Sequence, residues 1–114
     1  MFHETKSGEI VTVHVDSQQL NAAIAPQFKE VVAGIAKRGD RNIIVDLKNI
    51  EFIDSTALGA LVSGLKSVAP DGHFTLCGAN ATVEAMLQIT RMERILRTYP
   101  DEASAREALQ GVAG

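Results

Sequence analysis

Three consecutive side chains that carry oxygen atoms, Asp54-Ser55-Thr56, form the segment of this sequence best suited to chemistry. A helical pattern of apolar residues begins directly behind them. A carboxylate or hydroxyl at a helix start accepts hydrogen bonds from backbone N–H groups that lack partners within the helix. The same place suits a phosphate, whose negative charge favours the positive end of the helix dipole. Two interpretations stay open here: a plain cap at Asp54 or Ser55, or a phosphorylation site at Ser55.

The helix predicted behind Ser55 carries a strip of small side chains on one side. Glycine inside a helix costs up to about 1 kcal/mol relative to alanine, so the two glycines in the strip need an explanation. One explanation is close packing of the helix on a neighbouring element. The other is a flat, exposed ridge that continues from Ser55 and admits a partner at close range. The sequence favours neither for the strip, which consists of Gly59, Ala60, Ser63, Gly64 and Ser67.

Enzymatic chemistry is not indicated around Ser55. No Gly-x-Ser-x-Gly turn surrounds this serine, no histidine lies within 17 residues of it, and no phosphate-binding loop is present. Asp46 is expected to brace a loop, because it sits among apolar strand residues without a second carboxylate beside it. A hydrolase that uses Ser55 is therefore the least favoured reading, and the sequence predicts a protein that is not an enzyme.

Metal and cofactor binding are not predicted either. Cys77 is the only cysteine, so no disulfide can form within the chain. The histidines His3, His14 and His73 are scattered, and none stands at metal-ligand spacing from another ligand. We expect ordinary buried or surface histidines, no metal site and no cofactor.

Strand and helix patterns alternate along the chain, which predicts an α/β fold with parallel pairing and right-handed crossovers. The sheet is expected to be mixed, largely parallel and four- to five-stranded, flanked by about four helices in one domain over residues 1–114. The predicted strands are Phe2 to Thr5, Glu9 to Val15, Asn42 to Leu47, His73 to Gly78 and Arg94 to Thr98. The predicted helices run from Pro26 to before Gly39, from Ser55 to before Pro70, from Thr82 to Thr90 and from Glu102 to Leu109.

Composition limits the classes of partner and the cellular compartment that we expect for this protein. A net charge of −3 and the absence of tryptophan argue against nucleic acid, which calls for basic surfaces and aromatic platforms. The amino terminus does not read as a signal peptide, and no apolar stretch approaches the roughly 20 residues that span a bilayer. We expect a cytoplasmic protein without membrane insertion.

The segment Phe52-Ile53-Asp54-Ser55-Thr56-Ala57-Leu58-Gly59 resembles the signature of STAS domains, specifically of the anti-sigma factor antagonists. The family pattern is an apolar pair followed by Asp-Ser-Ser/Thr-Gly-Leu-Gly. Three more segments resemble the family's loop before the first helix, its central strand and its third helix. They are Asn21-Ala22-Ala23-Ile24-Ala25-Pro26, Ile43-Ile44-Val45-Asp46-Leu47 and Met86-Leu87-Gln88-Ile89-Thr90-Arg91-Met92.

This resemblance implies a phosphorylation-controlled interaction switch. In the family, the serine after the aspartate is phosphorylated by a cognate anti-sigma factor, a serine kinase with a histidine-kinase-like ATPase fold. The unphosphorylated form binds that kinase and releases its target, and a PP2C-type phosphatase resets the cycle. Carried over, the phosphorylated residue is Ser55. The predicted partner-binding residues are Asn21, Asp54, Ser55, Thr56, Gly59 and Ser63.

The chain departs from the family pattern at three places. Ala57 replaces the motif glycine, Asn21 stands where many members have aspartate, and the glycine that usually ends the preceding strand is absent around Val15-Asp16-Ser17. The output need not be a sigma factor. The alternative reading is a non-phosphorylated STAS subunit of a lipid-transport ABC system, although an intact Asp54-Ser55 favours the switch.

Overall fold

The computed structural model describes residues 1–113, so Gly114 of the predicted domain lies outside the described residues. Within that range the strands are β1 (Phe2–Ser7), β2 (Ile10–Val15), β3 (Gln19–Leu20), β4 (Asn42–Asp46), β5 (Phe52–Ile53), β6 (His73–Cys77) and β7 (Arg97–Tyr99). The helices are α1 (Ala25–Lys37), α2 (Ser55–Val68), α3 (Ala81–Ile89) and α4 (Glu102–Ala113), and Met92–Arg94 forms a 3-10 turn.

A five-stranded sheet in the order β1-β2-β4-β6-β7 forms the centre of the protein. The first two strands make an antiparallel hairpin that turns at Gly8, whose φ of +62° is a conformation that glycine adopts without strain. All other neighbours in this sheet pair in parallel, as expected for strands joined through helices. The predicted α/β architecture with a largely parallel sheet is confirmed.

Strand β2 shows how the sheet divides its two faces. Val11, Val13 and Val15 point to the larger apolar core, which also contains the buried residues of α1, α2 and α3. Ile10 belongs to a second, smaller cluster with Ala105 and Leu109 of α4 on the opposite face. Successive side chains of a strand alternate between faces, so Thr12 and His14 lie on the α4 side. The α4 side of the sheet therefore carries polar as well as apolar side chains.

Helices α1 and α2 pack against each other on the larger core. Phe28, Val32 and Ile35 are buried along one side of α1. In α2 the buried positions are Ala57, Leu58, Ala60, Leu61, Gly64 and Val68. Spacings of three and four residues place these side chains on one side of each helix. None of the helices within residues 1–113 combines the length and the apolar character needed to cross a membrane.

Two parts of the fold differ from the sequence-based prediction. The short strands β3 and β5 pair in parallel and form a separate two-stranded sheet that was not predicted. The predicted strand from Arg94 to Thr98 begins too early. Arg91 adopts a left-handed conformation that opens a 3-10 turn, and the N–H of Leu96 donates to the carbonyl of Met92. Because the turn holds this backbone, the strand starts only at Arg97.

Candidate functional site

Ser55 is exposed at the first residue of α2, as the sequence predicts for a modifiable serine. The small β3–β5 sheet sets this position. The N–H of Glu51 donates to the carbonyl of Gln18 at 2.6 Å, and the N–H of Asp54 donates to that of Leu20 at 3.3 Å. The chain thus enters α2 from a fixed ladder, and the start of the helix lies next to the loop that follows β3.

Asp54 is the cap of α2. Its Oδ1 accepts the N–H of Ala57 at 2.9 Å, and its Oδ2 accepts the N–H of Ala22 at 3.1 Å. One carboxylate therefore satisfies a free donor of α2 and ties the helix to the loop before α1. Of the two capping candidates, Asp54 does the capping, and Ser55 is left available.

The Ser55 hydroxyl makes no hydrogen bond within residues 1–113. It stands at a helix start, where the first N–H groups have no acceptor inside the helix. Of these early donors, the N–H of Ala57 is taken by Asp54 and the N–H of Leu58 by the Asp54 carbonyl. A phosphate on Ser55 would meet the positive end of the helix dipole without displacing a side-chain contact of that hydroxyl.

Asn21 shapes the loop beside Asp54. Its Oδ1 accepts the N–H of Ala23 at 3.0 Å, and its Nδ2 donates to Oε1 of Gln19 at 3.2 Å. Its backbone carbonyl accepts the N–H groups of Ile24 and Ala25, the latter at the start of α1. Asn21 lies beside Asp54, because Asp54 accepts the N–H of the next residue, Ala22, but among the described residues the Asn21 side chain itself bonds only to Gln19 and Ala23.

Two grooves flank the exposed side of α2. One lies between α1 and α2 and includes Thr56, Gly59 and Lys29. The other, of about 520 Å³, lies between α2 and the segment after α3, and includes Gly59, Ser63 and Met92. Thr56 and Gly59 are exposed and Ser63 is half-buried. These predicted partner-binding residues thus lie along one surface that continues from Ser55.

The strip of small residues on α2 divides into two parts. Ala60 and Gly64 are buried, and a Cβ on Gly64 would come within 2.5 Å of Cε1 of Phe74 in β6. A Cβ on Gly59 would have no neighbour within 4 Å. Close packing therefore explains Gly64, whereas Gly59 is small at a position where the protein's own packing does not require it.

An aromatic side chain next to the site was not singled out from the sequence. Phe52 is 43% exposed although it is large and apolar, and it precedes Asp54 by two residues. Asn80 fixes the adjoining loop, because its Nδ2 donates to the carbonyls of Ile50 and Glu51 while its Oδ1 caps α3. The exposure of Phe52 could have been predicted only from its alternation with the buried Ile53. A strand of two residues is too short for such a pattern to be recognised in the sequence.

The arrangement offers an exposed hydroxyl but no base to activate it. Within residues 1–113, no histidine or carboxylate accepts a hydrogen bond from Ser55. His3 and His14 pair instead with Asp16 and Asp46. Ser55 is therefore an exposed hydroxyl at the start of α2 without a hydrogen-bonded base among the described residues.

The profile of the STAS domain family matches residues 3–105 of the chain. The chain belongs to the STAS domain family. A curated relative from Thermotoga neapolitana, named "Putative anti-sigma factor antagonist TM1081 homolog", is 36% identical over 105 residues, 90% of this chain and 93% of its own length. The crystal structure of TM1081 from Thermotoga maritima superposes with a TM-score of 0.86 at 30% identity, covering 96% of this STAS domain and 94% of that chain.

The fold is shared with more distant members. The anti-sigma factor antagonist SpoIIAA in its unphosphorylated form superposes with a TM-score of 0.82 at 18% identity, covering 97% of each chain. The phosphorylated form of SpoIIAA from Bacillus gives 0.72 at 16% identity, covering 95% of this STAS domain and 99% of that chain. The family predicted from the Asp54-Ser55 segment is thus confirmed, and the chain is a STAS domain of the anti-sigma factor antagonist type.

Proposed function

We propose that this STAS domain is a partner switch controlled by phosphorylation of Ser55. The observation that supports the proposal is that Asp54 and Ser55 have separate roles at the start of α2. Asp54 makes both the helix cap and the link to the loop at Ala22, and the Ser55 hydroxyl is exposed and unengaged. A phosphate can then change the charge of the surface while the contacts that hold α2 stay in place.

The partner is an anti-sigma factor that is also a serine kinase with a histidine-kinase-like ATPase fold. Support comes from the relatives, which are named as antagonists of anti-sigma factors. The unphosphorylated domain binds this kinase and releases its target, and a PP2C-type phosphatase restores the binding form. Because the kinase uses ATP, the switch operates in the cytoplasm. The domain itself is a binding module and has no catalytic turnover.

The binding surface consists of the residues around Ser55 and along the exposed side of α2. Asn21, Asp54, Thr56, Gly59 and Ser63 lie on or next to this surface, and Phe52 adds an exposed apolar side chain. A neutral hydroxyl at its centre permits a closed interface. Two added negative charges beside the Asp54 carboxylate would remain unpaired there, and unpaired buried charge weakens association.

The test is a calorimetric titration of a kinase of this class, from the same organism, with four forms of the domain. Wild type and Ser55→Ala should bind alike, because alanine keeps the surface neutral and Ser55 is not the cap. Ser55→Glu and the phosphorylated domain should bind more weakly by about 2–5 kcal/mol, roughly thirtyfold to a few thousandfold. The glutamate variant belongs near the lower limit, since it carries less charge than phosphate.

Mass spectrometry after incubation with kinase and ATP locates the phosphate. Thr56→Ala is the matched control, because it removes the adjacent exposed hydroxyl and should still gain one phosphate on Ser55. Equal affinity of all four forms, or phosphate found on Thr56 alone, would reject Ser55 as the switch. A domain that this kinase neither binds nor modifies would favour the ABC-transport alternative.

A further inference from the structure

A cluster of metal-ligating side chains lies on the α4 side of the sheet. It brings together His14 of β2, Asp46 of β4 and Glu102 at the first residue of α4. One ligand atom from each residue lies within 4.8 Å of the corresponding atoms of the other two. The three residues are far apart in sequence, so local spacing gave no sign of the cluster and no metal site was predicted.

His14 and Asp46 face each other with little access to solvent. Nδ1 of His14 lies 2.9 Å from Oδ2 of Asp46, and the two side chains are 13% and 5% exposed. Oδ1 of Asp46 accepts the N–H of Lys48 at 3.0 Å, which is the loop-bracing role expected for this residue. The other ring nitrogen of His14, Nε2, lies 3.0 Å from Oγ1 of Thr5. Both side chains are thus held with fixed orientation.

Glu102 is oriented through only one of its two oxygens. Oε2 accepts the hydroxyl of Thr12 and Nη2 of Arg106, each at 2.8 Å. Within residues 1–113, Oε1 accepts no hydrogen bond. The carboxylate therefore keeps one oxygen without a hydrogen-bond partner among the described residues.

We propose that His14, Asp46 and Glu102 bind a divalent transition-metal ion of the zinc class. One imidazole nitrogen and two carboxylate oxygens suit Zn²⁺ at bond lengths of about 2.0–2.2 Å, which places neighbouring ligand atoms roughly 3.3 Å apart. His14 and Asp46 are already slightly closer than this. The ligand atoms lie within 4.8 Å of one another, so Glu102 needs to approach by at most about 1.5 Å. Water would complete the coordination.

The surroundings supply the outer contacts that metal ligands usually have. When Nδ1 binds the ion, the proton of His14 resides on Nε2, where Oγ1 of Thr5 is placed to accept it. Thr12 and Arg106 already hold Oε2 of Glu102. An ion here joins α4 to two strands of the sheet, so binding should raise thermal stability.

Two cations oppose the ion and limit its affinity. Nζ of Lys48 lies 3.8 Å from Oδ2 of Asp46 on a side chain that is 69% exposed, and Arg106 neutralises part of Glu102. Cys77 stands opposite Asp46 in the β4–β6 register and is buried, but it does not belong to the cluster. Because Lys48 repels the ion, removal of its charge should tighten binding at this site, whereas accidental binding elsewhere on the surface would not respond.

The experiment is a calorimetric titration of the tag-free full chain with Zn²⁺, alongside thermal melts and Co²⁺ absorption spectra. We expect one ion per chain and no binding of Mg²⁺, which prefers oxygen ligands alone. Glu102→Gln keeps an acceptor for Thr12 and Arg106, and should weaken Zn²⁺ binding about tenfold or more. Lys48→Gln should tighten it severalfold, because it removes a repelling charge.

His73→Ala is the matched control, since it deletes a histidine outside the cluster and should leave the affinity unchanged. The metal-free melting temperatures of Glu102→Gln and Lys48→Gln show whether each variant folds as wild type does. Lack of saturable one-to-one binding overturns the proposal. So does equal binding by wild type, Glu102→Gln and Lys48→Gln, which would show an adventitious ion only. Kinase binding is not part of the assay, so the result is independent of the proposed switch.

Discussion

Two aspartates at the ends of strands, Asp54 after β5 and Asp46 in β4, have different surroundings and different roles. Asp54, at the start of α2, accepts two backbone N–H groups and is half-buried. Asp46, at the end of β4, accepts one backbone N–H and pairs with His14, and it is only 4% exposed. Each carboxylate makes two hydrogen bonds. The difference is the access of water to the carboxylate itself, because Asp54 is half-buried and Asp46 is buried.

The different solvent access of Asp54 and Asp46 indicates where a charge can be added to the protein without loss of the fold. Ser55 is exposed, so the phosphate that we propose there would change the surface without displacing a buried contact. On the α4 face, Thr12, His14 and Asp46 have little contact with water, and a lost contact leaves a donor or a charge unpaired. A reversible switch is therefore suited to the first region, and a stabilising ion to the second.

The largest expected effect tests this contrast directly. Asp46→Ala removes the acceptor of the Lys48 N–H and the partner of His14 in a buried setting. We expect the free energy of unfolding to fall by about 2–4 kcal/mol, because the largely buried imidazole of His14 and the N–H of Lys48 lose their hydrogen-bond partner. Chemical denaturation followed by circular dichroism measures this loss.

Asp54→Ala is the matched control for that measurement. It also removes a carboxylate with two hydrogen bonds, but Asp54 is only half-buried, and the loss of a cap costs about 1 kcal/mol. Similar losses for the two variants would show that burial does not distinguish the regions. The comparison requires metal-free protein, so that any ion at His14 does not contribute.

The two regions also differ in how far the sequence could predict them. Asp54, Ser55 and Thr56 are adjacent, so one segment carried both the helix start and the exposed hydroxyl. His14, Asp46 and Glu102 come together only when β2, β4 and α4 assemble, and no local pattern joins them. The alternating valines of β2 predicted the two faces of the sheet, but not which polar side chains would meet on the second face.

Local interactions explain the errors in the predicted elements. β3 and β5 have two residues each, which is too few for an alternating pattern to be recognised. The predicted strand from Arg94 overlooked the 3-10 turn, because a left-handed arginine such as Arg91 has no sequence signature. In α2, periodicity could not separate Gly59 from Gly64, since the outcome depends on where Phe74 of β6 places its ring.

A smaller effect is expected at the packed end of the small-residue strip. Gly64→Ala puts a methyl group 2.5 Å from Cε1 and 2.6 Å from Cζ of Phe74, so the ring or the helix must shift. Overpacking outweighs the helix propensity gained from alanine, and we expect a net destabilisation of about 1–2 kcal/mol. Thermal unfolding of the variant checks this. An unchanged or higher melting temperature would mean that the ring moves freely and that Gly64 is not held by packing.

The smallest change in stability is expected at Gly59, and its sign is opposite. Gly59→Ala adds a methyl group where no atom lies within 4 Å, so alanine should stabilise the helix by about 0.5–1 kcal/mol. If the exposed side of α2 binds the kinase at close range, the same methyl group should weaken that association severalfold. Gly34→Ala provides the control, because Gly34 is an exposed helical glycine of α1 with equally open surroundings. It should give the same gain in stability and leave the affinity unchanged. Unfolding and kinase titration of both variants separate the two roles, and a stabilised Gly59→Ala that binds as wild type does would exclude Gly59 from the interface.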